Sequence, residues 1–188
     1  MNDMFLKWLY VCTCLFFVSC GISDSNINPS NEHDYPTSVK LTLTNNQFPS
    51  DTLYAFWNDL DGIGGNSPII DTLTLLGNAQ YSGKIELFNT SKNPIIDITK
   101  GILEYSHEHQ FFYKPSNSIA SICSWTISDL DKNLLPVGLS YKVKISDTSN
   151  VQGSVNIVLS HFDAFPKNGI TRSNETDLDI TFPLIITQ

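Results

Sequence analysis

From Ser38 to the C-terminus, apolar residues recur at every second position, and that period leaves the chain little choice of fold. Val39, Leu41 and Leu43 open the series, followed by Leu53, Ala55 and Trp57, then Leu73 and Leu75, then Ile85 and Leu87. It resumes at Phe111 and Tyr113, Cys123 and Trp125, Tyr141, Val143 and Ile145, and Val155, Ile157 and Leu159, and closes on Leu178, Ile180, Phe182, Leu184 and Ile186. A period of two puts those side chains on one face of an extended strand and their polar neighbours on the other. About nine half-buried strands follow from the count of such runs. Asn45-Asn46, Gly77-Asn78, Ser149-Asn150 and Lys167-Asn168-Gly169 supply turn chemistry between them. One helical stretch is expected over Asp97 to Tyr105, with Asp97 or Thr99 available to cap it and Gly101 weakening it. Strands with one apolar face must pair those faces, so residues 37–188 are expected to form an all-β, immunoglobulin-like two-sheet antiparallel β-sandwich around one core.

A repeat sharpens this expectation. The shift that carries Asp59-Leu60-Asp61 onto Asp129-Leu130-Asp131 also carries Ile69 onto Leu139, Leu73 onto Val143, Leu75 onto Ile145, Gly83 onto Gly153, Ile85 onto Val155 and Leu87 onto Ile157. Each unit begins on a Trp-bearing strand, at Trp57 or Trp125. Two units of strand, acidic loop, strand, turn and strand would build a sandwich with the two acidic loops in related positions. Strands draw on few residue types, so a chance match is the competing explanation.

The first residues read as an address rather than as part of the fold. Lys7 is followed by an apolar run from Trp8 to Val18, and Ser19 stands directly before Cys20. A short apolar stretch closed by a small residue and a cysteine is the pattern cleaved by lipoprotein signal peptidase, so residues 1–19 are expected to leave and Cys20 to carry lipid. Read instead as a membrane anchor, the run is too short for a hydrocarbon core that needs roughly twenty residues. Several acyl chains on Cys20 would make attachment effectively permanent. Residues 20–36, rich in Ser, Asn, Asp and Pro, then form a flexible tether that would hold the domain roughly 20 to 25 Å from the membrane.

Charge and cysteine use narrow the partners. The formal net charge is −8, and loss of Asp3 and Lys7 with the signal leaves it unchanged. An acidic chain with no Lys/Arg stripe is a poor match for nucleic acid. Cys12 and Cys14 would leave with the signal and Cys20 would be acylated, so Cys123 has no partner for a disulfide. Cys123 shares the inward face with Trp125 and reads as a small buried hydrophobe.

Two constellations carry chemistry. In Asp59-Leu60-Asp61-Gly62-Ile63-Gly64, carboxylates at positions one and three with a nearby glycine resemble the way a Ca²⁺ loop bends oxygens around a hard cation, though no bidentate Glu follows. Asp129 and Asp131 repeat the spacing beside Lys132, so Asp59, Asp61, Asp129 and Asp131 are the Ca²⁺ candidates; the alternative is a loop whose side chains bond their own backbone. His107 and His109 flank Glu108 before an aromatic strand, and His161 ends another strand. Were these rings to converge, they could hold a metal for a hydrolase. No nucleophile elbow or phosphate-binding loop accompanies them.

Asp59-Leu60-Asp61-Gly62-Ile63-Gly64-Gly65-Asn66, Tyr81-Ser82-Gly83, Glu108-His109-Gln110-Phe111-Phe112-Tyr113, Asp129-Leu130-Asp131, Gly138-Leu139, Leu159-Ser160-His161 and the segment from Glu175 to Pro183 occur in that order. Together they resemble a family of small Bacteroidota lipoproteins, over most of Val39 to Gln188. The resemblance implies an envelope address and no particular reaction. Members usually carry a third Asp where this chain has Ile63 and Asn-Gly where it has Asn133-Leu134. Some are labelled with a type 1 periplasmic-binding fold, a longer α/β architecture that the strand pattern speaks against. Asp51-Thr52-Leu53 and Asp71-Thr72-Leu73 also resemble periplasmic O-glycosylation triplets of that phylum, and equally ordinary strand residues.

The expected function is that of a lipid-anchored envelope lipoprotein, outer-membrane by preference. Its sandwich would act as a non-enzymatic binding or accessory module for a protein or glycan. The competing readings are a metal-dependent hydrolase using His107, His109 and His161, and a purely structural envelope protein.

Overall fold

The computed structural model of the chain describes residues 35–188 save 63, 148 and 149. The expected signal peptide, Cys20 and nearly all of the tether lie outside the described residues. Eleven strands and one short helix follow in order: β1 (Ser38–Asn45), β2 (Thr52–Asn58), β3 (Ile69–Ile70), β4 (Leu73–Leu76), β5 (Gln80–Asn89), β6 (Ile96–Asp97), α1 (Ile98–Glu104), β7 (His109–Pro115), β8 (Cys123–Ile127), β9 (Ser140–Ile145), β10 (Val151–His161) and β11 (Glu175–Thr187). All but β3 and β6 are strands that the alternation marks. Those two span two residues each, too short for a period to show.

The strands form the expected two-sheet all-β sandwich. One sheet runs β3-β2-β1-β5-β9-β8 with β6 alongside β5, and the other runs β4-β11-β10-β7. The pairing is antiparallel except between β4 and β11, which run parallel and make the second sheet mixed. Val39, Leu41, Leu43, Ile85, Leu87, Val143 and Ile145 line the inner face of the first sheet. Phe111, Val155, Ile157, Leu159, Ile180, Phe182, Leu184 and Ile186 line that of the second, and the two faces share one buried core. Each fully buried aliphatic side chain contributes roughly 1.5–3 kcal/mol, so this face-to-face burial stabilises the fold more than any polar contact does.

The repeated units exchange sheets. β4 lies in the second sheet and its counterpart β9 in the first, whereas β5 lies in the first and its counterpart β10 in the second. The repeated glycines serve the same end in both. Gly83 lies under the ring of Tyr141, its cross-strand partner, and Gly153 lies under Ile119; a Cβ would stand 2.1 Å from the first and 2.8 Å from the second. Along one side of the sandwich, Tyr113 of β7, Trp125 of β8 and Tyr141 of β9 stack with centroids 4.7–5.2 Å apart, joining edge strands of the two sheets. Cys123 is buried beside them, and that burial pushes its thiol up to about 11, so it is not a nucleophile at neutral pH.

The helix falls where expected but is held differently. Asp97 occupies its N-cap without a side-chain cap hydrogen bond. Thr99 instead turns its hydroxyl onto β5, accepting from Leu87 N–H at 2.8 Å and donating to Leu87 O at 3.2 Å. That docks the turn on the sheet, where Ile102 is buried.

Gly83→Ala should cost about 3 kcal/mol in urea unfolding, because the buried Tyr141 ring cannot leave its site. Gly101→Ala, with nothing within 4 Å of the new methyl, should stabilise by about 0.5–1 kcal/mol in the same measurement.

Candidate functional site

The register of the second sheet brings two histidines together. His109 begins β7, His161 ends β10, and the two are direct cross-strand partners, two pairs beyond Phe111 and Leu159. Their rings stack with centroids 4.8 Å apart at the end of the inter-sheet core, both nearly buried. β11 completes the group through a bulge. Leu159 pairs with Leu178 and Ser160 with Thr176, so Asp177 is the extra residue between two rungs. Strict alternation would send Asp177 to the face opposite Leu178; the bulge re-aims it beside the histidines. Its Oδ2 is 3.5 Å from His109 Nε2 and its Oδ1 is 3.7 Å from His161 Nδ1.

The neighbouring backbone orients one ring. Tyr105 O lies 2.9 Å from His109 Nδ1, and a carbonyl only accepts, so Nδ1 carries the hydrogen and donates it. Nε2 then faces the carboxylate. More acid stands alongside: Glu175 is the cross-strand partner of His161, and a hydrogen bond with Asp163, together with that residue's charge, raises the Glu175 carboxyl above its ordinary value. His107 stays outside this group, its Nε2 3.1 Å from Glu108 Oε1. Of the three histidines considered for a metal, the fold joins two and replaces the third with Asp177. The sequence offered no sign of Asp177, since a bulge is a property of strand pairing.

A buried ion pair holds the surrounding loops. Lys167, read as a turn residue from its Asn-Gly neighbours, has its ammonium 2.7 Å from Asp131 Oδ2, with the two side chains 1% and 0% exposed. The same Nζ donates to Ser106 O at 2.8 Å, Pro136 O at 2.9 Å and His109 O at 3.0 Å. Burial works to raise the Asp131 carboxyl, but the Lys167 ammonium and the N–H groups of Leu135 and Asn133 outweigh it, and the net shift is downward. One side chain thus fastens the β10–β11 loop to the β8–β9 loop and to the turn that leads into His109.

Three of the four carboxylates considered for Ca²⁺ are held by their own chain. Asp131 is taken by Lys167, and Asp129 accepts from Gly138 N at 2.9 Å and Leu139 N at 3.0 Å. Asp61 Oδ2 accepts from the backbone N and the side-chain Nδ2 of Asn66, at 2.9 and 2.6 Å, and those bonds lower its carboxyl. Asp59 is half-buried at the end of β2, its N–H donating to Thr37 O. Neither loop brings its two carboxylates into the one metal-ligating cluster found among the described residues, which is His109, His161 and Asp177. In the O-glycosylation triplets, Thr52 spends its hydroxyl on Thr44, 3.1 Å away, and Thr72 is exposed between β3 and β4.

Lys167→Met should cost about 3–5 kcal/mol, because it strands a buried carboxylate, and adding Asp131→Asn should recover most of that loss. A carboxyl lowered in the folded state adds stability above its unfolded pKa of about 3.9, and this is lost as pH falls through the folded value. Urea unfolding from pH 7 to pH 2 should therefore show a steeper acid loss for the native chain than for the doubly substituted one. A scan against protein-family models, a search of curated proteins and a search of solved structures each returned no match, so the functional reading rests on this geometry.

Proposed function

We propose that the chain is an envelope lipoprotein, anchored to the outer membrane through lipid on Cys20, whose β-sandwich is a non-enzymatic module that binds another envelope protein. The address rests on the Ser19-Cys20 pattern and on the resemblance to small Bacteroidota lipoproteins. The binding reading rests on one observation, the conformation of Leu134. This residue is 77% exposed and sits at φ 63°, a left-handed conformation that costs a non-glycine residue about 1–2 kcal/mol. Asp131 holds it there by accepting from its neighbours Asn133 and Leu135, and Lys167 fixes Asp131. A large apolar side chain kept in water at the cost of backbone strain is a feature that contact with a partner explains.

Leu130, Phe165 and Ile170 are exposed on the same two loops that Lys167 ties together. Three of these four side chains are aliphatic, which favours an apolar protein surface over a glycan, whose sugar rings prefer aromatic platforms. Of the three histidines in the hydrolase reading, His109 and His161 meet and His107 lies apart; the Ca²⁺ reading is weakened by the backbone partners of Asp129, Asp131 and Asp61.

A photo-crosslinking residue at position 134, introduced in intact cells, should give one discrete protein adduct, and the same residue at exposed Phe48 should give none. Equal labelling from both positions, or none from either, would remove the binding reading. Leu134→Gly should raise stability by about 1 kcal/mol by relieving the strain, yet weaken co-purification of the protein that the crosslink identifies. Cells fed a fatty-acid analogue should label the native chain and leave Cys20→Ala unlabelled.

A further inference from the structure

The His109, His161 and Asp177 cluster has no role in the binding reading above, and it is built as a ligand set. We propose that these three residues bind a divalent transition-metal ion of the zinc class, through Nε2 of His109, a ring nitrogen of His161 and a carboxylate oxygen of Asp177. The inference is independent of the partner-binding reading, and either can fail alone.

Three independent features converge on the same point. Cross-strand register fixes the two imidazoles side by side on rigid backbone at the end of the core. The β11 bulge turns Asp177 out of its alternating position to face both rings, and bulges of this kind often aim a side chain into a site. The Tyr105 carbonyl takes the Nδ1 hydrogen of His109 and leaves Nε2 toward the carboxylate, the outer contact by which metal-ligating histidines are oriented. Lys167 adds a fourth constraint by holding the His109 carbonyl, so the start of β7 cannot drift.

The donor chemistry selects the ion. Two imidazoles and one carboxylate suit Zn²⁺ and its d-block neighbours, whereas Ca²⁺ requires six or more oxygens. One atom from each residue lies within 4.8 Å of the others. Tetrahedral coordination at bond lengths of about 2.0–2.1 Å needs ligand atoms about 3.3 Å apart, so the cluster must close by up to about 1.5 Å. Asp177 is the most exposed of the three, and rotation of its side chain can shorten the 3.5 and 3.7 Å separations between its carboxylate and the two imidazoles. The ion would lower the repulsion among Asp177, Glu175 and Asp163. A fourth position would remain for water or an exogenous ligand.

The competing account is a metal-free pair between a protonated histidine and Asp177, which the same geometry allows. The two differ in a titration. Full-length chain in detergent micelles, stripped with a chelator, should bind one Zn²⁺ per molecule in competition with a chromogenic chelator, and its melting temperature should rise. Asp177→Asn and His161→Gln should each weaken Zn²⁺ binding by about 100-fold or more, while His107→Gln should leave it unchanged. X-ray absorption of the loaded protein should show two imidazole ligands, a readout that does not depend on the stability of any variant. Zn²⁺ bound no more tightly than Ca²⁺, no rise in melting temperature, or undiminished binding in Asp177→Asn would overturn the proposal and leave the crosslinking result at position 134 untouched.

Discussion

An ammonium group cannot be buried without full compensation, and meeting that demand for Lys167 organises the functional end of this protein. Three N–H bonds find four oxygens, one from Asp131 and three from the backbone carbonyls of Ser106, His109 and Pro136. A loop residue far along the chain therefore dictates where the β8–β9 loop lies and where β7 begins. The β-sandwich core would form without it, since that core rests on apolar faces alone. The loops would then lose the contact that ties them to one another at Asp131, Pro136 and Ser106, and the carbonyl of His109 would lose its donor.

The same accounting explains how the polar residues divide. Carboxylates on the acidic loops are absorbed by the chain: Asp129 by two backbone amides, Asp131 by Lys167, Asp61 by Asn66. These contacts shape loops. At the end of the second sheet the balance differs, because two imidazoles meet one carboxylate with two further acids close by, and no lysine or arginine is among the described ion-pair partners of Asp177. That contrast separates acid used as scaffold from acid placed as a ligand. Leu134 sits at a positive φ between the two residues whose N–H groups Asp131 accepts. The loop geometry suits a glycine, and this chain keeps a leucine in it.

How much of this could be read beforehand follows from the range of the interactions involved. Alternation is local, so the nine longer strands, the inward face of each and the burial of Cys123 could be read directly from residues such as Val39, Tyr141 and Phe182. The candidate histidines were visible as residue types, but their meeting depended on the β7–β10 register, which no local pattern encodes. Asp177 lay on the wrong face by counting, and only the pairing of β11 with β10 inserted the bulge that corrected it. Lys167 resembled a turn residue because its neighbours Asn168 and Gly169 are turn formers, and its burial depended on acceptors supplied by two distant segments.

Sequence alone determined that this chain would pair two apolar sheet faces, because a two-residue period has no other way to leave water. It also placed the acidic loops, the buried thiol of Cys123 and the N-terminal cysteine pattern. Tertiary structure decided which polar groups would meet, since strand register, a one-residue bulge and the compensation of a buried charge are settled between segments. His109, His161 and Asp177 are neighbours for that reason, and Asp59, Asp61, Asp129 and Asp131 form no such cluster among the described residues.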